Sequence, residues 1–293
     1  MIRFIDLSHR AKFRVSGADR LRYLNGQLTN NVSTLKAGCS LYAFALTAKG
    51  KLASDLFLRD YAGSILVDAP REAREVLLAR LERYIVADDV ELEDVTETFH
   101  LRHFLTASTA DVPSVHAEAV VTVTSRYRQP GIDLIEPADL HASIPAVALD
   151  AAEAETLRVE RVVPSWGPEI NEGVLPQELQ LDDLAISYTK GCYLGQEVVS
   201  RIRSVGHVNR LLVKVRQLDQ APLRPGMRLA IPESSAVGAV TSVAPLARAG
   251  RFSALAFVRR EAAAPNTRLV TVDPETSGLL GFVEVCSLAE FAP

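Results

Sequence analysis

From about residue 206 to its end the chain is a succession of short apolar runs, at 211–215, 227–231, 237–243, 254–258, 269–272 and 280–285. Pro222, Pro225-Gly226, Pro232, Gly250, Pro265 and Pro274 punctuate them. Runs this short, bounded by residues that cannot continue a ladder or that favour turns, read as strands rather than helices. No helical period survives in this stretch, and several short strands at such spacing fold into a small barrel or sandwich.

The region before it has a different rhythm. Strands are expected at 41–47, 52–61, 64–67, 90–95 and 99–106, with Lys49-Gly50-Lys51 as a turn, and a hairpin joins 120–124 to 132–135 across Gln129-Pro130-Gly131. Helices are expected after Ser16 as N-cap (Leu21, Leu24 and Leu28 on one face), from Pro70 to about Tyr84, and from Asp150 with Glu153 three positions on. The order is irregular, not βαβα, which implies an α+β fold with antiparallel sheets. With 293 residues, 48% of them apolar, the chain has room for two or three modules and a core that needs no staples. The expected division is 1–205, an α+β region of two partly discontinuous subdomains, and 206–293, a small β-barrel.

Several function classes are disfavoured. Cys39, Cys192 and Cys286 are far apart and form no disulfide framework, as expected of a cytoplasmic protein. No apolar stretch approaches the ~20 residues of a membrane span, and the first residues do not read as a signal peptide. The net charge is −4 and no Lys/Arg block suggests a nucleic-acid footprint. The six histidines, His141 among them, fall in no metal-binding spacing, so no metal site is expected, and no phosphate-binding glycine motif is present.

Thr189-Lys190-Gly191-Cys192-Tyr193-Leu194-Gly195-Gln196-Glu197-Val198-Val199-Ser200-Arg201 carries the chemistry. A thiol with an ordinary pKa of about 8.5 is activated by a neighbouring cation and by a helix N-terminus. Lys190 supplies the first if both side chains turn the same way, and a helical turn from Gly195 supplies the second. Gly191 and Gly195 permit tight turns. Cys192 is therefore the candidate reactive residue, with Lys190 tuning it.

The string from Lys190 to Glu197 closely resembles the signature of the YgfZ family of folate-binding proteins implicated in iron–sulfur cluster assembly and repair. Tyr23-Leu24-Asn25-Gly26-Gln27-Leu28-Thr29-Asn30-Asn31-Val32 resembles that family's N-terminal motif. The wider superfamily includes the glycine cleavage T-protein, a folate-dependent aminomethyltransferase. The resemblance implies a three-module cloverleaf, two α+β subdomains and a barrel, around a tetrahydrofolate site.

It also implies residue roles. Leu157-Arg158-Val159-Glu160-Arg161 through Trp166-Gly167 resembles the T-protein segment whose glutamate binds the pterin, which makes Glu160 the expected anchor: a carboxylate accepts two parallel hydrogen bonds from a guanidine-like ring edge. Trp166 is expected to pack on the ligand. Gly50 to Asp55 resembles the hairpin that carries the T-protein's catalytic aspartate, with Ser54 in place of one carboxylate and Asp55 as the candidate. Tyr193, Gln196, Glu197 and Arg201 are expected cofactor-binding residues, the last three ordering the cysteine loop, with Arg201 pairing with a folate carboxylate or with Glu197 and Lys190 a further candidate for folate's carboxylate tail. The function implied is a folate-dependent accessory role toward four-iron clusters, with transient iron–sulfur client or assembly proteins as partners. The alternatives are a folate-dependent aminomethyltransferase or demethylase, and a non-catalytic module linked to tRNA-modification enzymes.

Overall fold

The computed structural model describes residues 2–112, 116–140, 145–232 and 234–287; His141 lies outside them. Two five-stranded sheets and a closed barrel make up the architecture. The first sheet runs in the order Ser40–Leu46, Leu52–Tyr61, Ser64–Ala69, Ala11–Ser16, Glu91–Asp94, antiparallel throughout. Helices α1 (Arg20–Gln27) and α2 (Arg74–Glu82) supply Tyr23, Leu24, Leu77 and Leu81 to the core against it. Ser16 ends a strand and does not cap α1; Asp19 takes that position without a side-chain cap and instead accepts from the Asp89 amide.

The strand Leu52–Tyr61 explains how a site forms on this sheet. Its two faces alternate. Leu56 and Leu58 join the core shared with α1 and α2, while Asp55, Phe57 and Arg59 point to the opposite face, also buried. Cross-strand register aligns Tyr42, Phe57, Asp68 and Lys12 in one row on that face. Polar residues thus occupy interior positions of strands that are otherwise apolar.

The second sheet runs Val147–Ala148, Arg3–Asp6, Phe99–Phe104, Gly131–Pro137, Val120–Thr124, antiparallel except for its first pair. It takes a strand from the very beginning of the chain and the rest from beyond residue 98, so the module is discontinuous in sequence. The strands Arg3–Asp6 and Ala11–Ser16, both paired on two sides, were not marked by the apolar pattern, because Arg3, Asp6, Lys12 and Arg14 interrupt it.

Helix α3 (Ala151–Glu160) begins at a full capping box: Asp150 accepts from the Glu153 amide and Glu153 accepts from that of Asp150. After it come α4 (Asp182–Ala185) and α5 (Gln196–Val205), with Gly195 in the left-handed region (φ 84°) as the N-cap of α5. The barrel follows in the order Arg210–Gln217, Ser253–Arg259, Ala236–Val243, Arg228–Ala230, Arg268–Val272, Leu279–Val285. One core cluster fastens the modules together: Phe44 and Leu52 of the first sheet, Val159 of α3, Tyr193, Val199 of α5, and Leu212 and Phe257 of the barrel. No helix among the described residues is long and apolar enough to cross a membrane.

A buried ion cluster locks the first sheet to the second. Arg59 bonds Asp68 at 2.6 Å and Asp133 at 3.2 Å; Arg126 bonds the same two carboxylates at 2.8 and 2.6 Å. Arg10 reaches Asp68 at 2.5 Å, and His103 Nδ1 lies 2.8 Å from Asp133. The Arg126 guanidinium also lies 3.8 Å from the centre of the Phe57 ring. Burial alone would raise both aspartates; the guanidiniums of Arg126, Arg10 and Arg59 overcome it for Asp68, and Arg126, His103 and Arg59 for Asp133, holding both below the ordinary carboxylate range.

Candidate functional site

A cavity of about 680 Å³ opens where the two sheets meet α3 and the segment after it. Its walls include Tyr42, Asp55 and Phe57 from the first sheet, Arg126 and Arg128 from the turn before Gly131–Pro137, and Trp166 after α3. The Tyr42 and Phe57 rings are 4.5 Å apart and tilted by 32°. This combination of aromatic faces with a few charged groups suits a flat, polar-edged ligand of moderate size.

Two polar atoms in the wall have no hydrogen-bond partner: Asp55 Oδ1 and Arg10 Nη2, both buried. Among the described residues the other Asp55 oxygen accepts only from the Tyr42 hydroxyl, at 3.4 Å. Burial pushes the Asp55 carboxyl above its ordinary value; Arg10 opposes the rise, Asp68 adds to it and Arg126 opposes it. Burial, and then the Asp55 carboxylate, likewise raise Tyr42 well above the usual phenol value. A buried acceptor and a buried donor in one wall each carry the cost of an unmade hydrogen bond, and both would be satisfied by a ligand edge that carries both polarities.

Of the residues singled out from the sequence, Asp55 and Trp166 line this cavity. Glu160 does not. Its carboxylate lies 3.2 Å from the Lys214 ammonium, which also donates to the Glu160 carbonyl at 3.3 Å, so Glu160 couples the end of α3 to the barrel. Neither do Lys190, Cys192, Tyr193, Gln196, Glu197 or Arg201 line it. These form a second locus around the start of α5.

There, Lys190 has all three ammonium donors occupied: the carbonyls of Asn25, Leu28 and Asn30 accept at 2.5, 2.8 and 2.8 Å. Burial of the amine pushes it down to about 8. Lys190 therefore acts as an anchor, and its bonds point to backbone rather than to a thiolate. Its ammonium also lies 5.1 Å from the centre of the Tyr193 ring. The Leu194 amide donates to Gly26 and the Ser187 amide to Thr29. The two motifs that the sequence marks separately are thus one structural unit. Gly195 packs on the Thr47–Lys51 turn so closely that a Cβ would come within 2.6 Å of the Thr47 carbonyl oxygen.

On this scaffold Cys192 is exposed, four residues before the first residue of α5. Gln196 Oε1 accepts from the Tyr193 amide and the Gln196 amide donates to the Tyr193 carbonyl, fixing the turn that follows the cysteine. Tyr193 itself is buried in the inter-module core, while Glu197 and Arg201 are exposed and share no ion pair among the described residues. Arg10, Tyr42, Arg126 and Arg128 were missed. A signal for the last two existed in the basic pair flanking Tyr127 just before an apolar strand.

A family model described as the GCVT N-terminal domain matches residues 2–103. The tRNA-modifying protein YgfZ of Escherichia coli O157:H7 is 30% identical over 218 residues, covering 68% of this chain and 67% of that protein. The chain belongs to the YgfZ family. The iron-sulfur cluster assembly factor IBA57 homolog, mitochondrial, of Dictyostelium discoideum is similar at 26% identity over 251 residues; the match covers 72% of this chain and spans 62% of that relative's length. The crystal structure of glycine cleavage system aminomethyltransferase T from Bartonella henselae superposes with a TM-score of 0.82 over 98% of this chain and 85% of that one, at 19% identity. This YgfZ-family chain therefore has the α+β-plus-barrel fold of that aminomethyltransferase.

Proposed function

We propose that the protein is a folate-dependent accessory factor in the assembly or repair of four-iron clusters, with tetrahydrofolate held in the central cavity and Cys192 presented to a client protein on the loop before α5. The observation that carries the folate half is the pair of unpartnered wall atoms, Asp55 Oδ1 and Arg10 Nη2, in a cavity also lined by the aromatic rings of Tyr42, Phe57 and Trp166. The edge of a pterin offers N–H donors to the first and an acceptor to the second, and its ring face matches the aromatic wall. Bound tetrahydrofolate would supply a one-carbon carrier. Asp55 holds or releases a proton at Oδ1, Tyr42 orients that carboxyl through its hydroxyl, and the buried wall excludes water.

The printed names of the YgfZ and IBA57 relatives support the iron–sulfur and tRNA-modification setting for this chain. A single cysteine cannot hold a cluster, so contact with one requires ligands from the client. A second reading, a folate-dependent one-carbon transferase, is favoured by the raised carboxyl of Asp55 and its unpartnered Oδ1.

The two separate under mutation in a host lacking its own copy, scored by the activity of a four-iron-cluster enzyme. Cys192→Ser and Asp55→Asn are each expected to lower that activity by at least tenfold while expression stays level. Loss with Asp55→Asn alone would assign the chain to the transferase reading. Activity retained in both variants would leave a scaffold without either chemistry.

A further inference from the structure

Five arginines line the cavity, and four of them are neutralised. Arg10 pairs with Asp68 at 2.5 Å, Arg71 with Glu97 at 3.1 Å, Arg126 with Asp133 at 2.6 Å, and Arg158 with Glu155 at 2.7 Å. Arg128 has no carboxylate partner among the described residues. Its guanidinium donates only to backbone, to the Gln180 carbonyl at 2.9 Å and to that of Val162 at 3.5 Å.

The backbone around this guanidinium is unusual. Arg128, Val162 and Gln180 all lie in the left-handed region, at φ 53°, 54° and 55°. Only seven described residues other than glycine do so, and three of them meet at this one side chain. For a β-branched residue such as Val162 the conformation is a true outlier. Such strain, of about 1–3 kcal/mol per residue, persists where surrounding structure enforces it, and it clusters at ligand sites. The three residues come from three segments: the turn before Gly131–Pro137, the loop after α3, and the approach to α4. Gln180 is held in turn by its amide, which donates to the Leu212 carbonyl of the barrel at 2.7 Å. The strained carbonyls therefore fix a cation in the cavity wall. Burial also disfavours its charge, and no protein anion offsets that cost.

We propose that Arg128 is the specificity-determining residue of the cavity: its guanidinium takes a carboxylate of the bound ligand, so that the cavity selects an acid over a neutral molecule of the same shape. This rests on the folate reading, in which that carboxylate belongs to the glutamate tail. Of the other cations considered for that tail, Lys190 is committed to three carbonyls outside the cavity, and Arg201 does not line it. A guanidinium bound to two carbonyls keeps further N–H donors for a carboxylate.

The test titrates the full chain calorimetrically with tetrahydrofolate and with its glutamate dimethyl ester, which differ only in the tail charge. The wild type is expected to bind the acid about 10–100-fold more tightly, the range for one charge-assisted contact. Arg128→Gln is expected to weaken acid binding by that factor, leave diester binding within about twofold, and so abolish the preference; Arg128→Lys should restore part of it. Equal wild-type affinity for acid and diester would overturn the proposal even if the variants failed to fold, as would equal loss of both ligands in Arg128→Gln. A wild type that binds neither would overturn the folate reading itself, a distinct result.

Discussion

Replacing Asp133 with alanine is expected to destabilise the protein by about 3–5 kcal/mol, the range for removing one partner from a buried ion pair. Asp133 is fully buried and bonds Arg126 at 2.6 Å, Arg59 at 3.2 Å and His103 at 2.8 Å. Without it Arg59, itself inaccessible to solvent, keeps only Asp68 as a counter-charge. Because this cluster joins the two sheets, the same loss should loosen the cavity between them. The effect has a pH signature. Asp133 and Asp68 have folded pKa values held below the unfolded value of about 3.9, so their contribution is complete above that pH and is lost as pH falls through the folded values. Denaturant melts of wild type and Asp133→Ala should therefore differ fully at pH 7, begin to converge below about pH 4 and go on converging as pH falls toward the folded values. A constant difference down to pH 2 would show that packing, not charge, holds the sheets together.

The second large effect is expected at Lys190→Ala. Three carbonyls, those of Asn25, Leu28 and Asn30, lose their shared donor at once. Unmet backbone acceptors in a half-buried setting cost about 1–3 kcal/mol each, discounted here because water reaches part of the site. The expected outcome is a net loss of about 2–4 kcal/mol and a local one, because the bonds tie residues 25–30 to the loop that carries Cys192. Hydrogen exchange should accelerate at the Gly26–Leu194 and Thr29–Ser187 connections, with little change in the barrel. Alkylation of Cys192 should change with it. Unchanged exchange in both segments would mean that Lys190 is not an anchor and would reopen its role as a cation for the thiol.

The fold was legible in the sequence where one rule dominated. The barrel strands announced themselves by length and punctuation, and the capping box of α3 by Asp150 and Glu153. Ser16 misled because Ser and Asp three residues apart suit a strand end as well as a cap. The site was legible only in part. Asp55 and Trp166 reached the cavity, but local reading cannot see that α3 turns Glu160 toward Lys214, or that the ammonium of Lys190 faces the motif at residues 23–32. Those are contacts 54 and 162 residues apart. Charges inside apolar strands, Arg59, Asp68 and Asp133, were the overlooked sign. A buried charge demands a partner, so two such strands must meet face to face.

Tetrahydrofolate bound in the cavity between the sheets is what the proposed function requires above all. Trp166 is the only tryptophan in the chain and lines that cavity, so its fluorescence reports occupancy without a label. Titrating tetrahydrofolate into wild type and Asp55→Asn is the most direct measurement. A saturable change is expected in the wild type, with at least tenfold weaker binding in the variant. A wild-type signal that never saturates, or identical curves for both proteins, would contradict it.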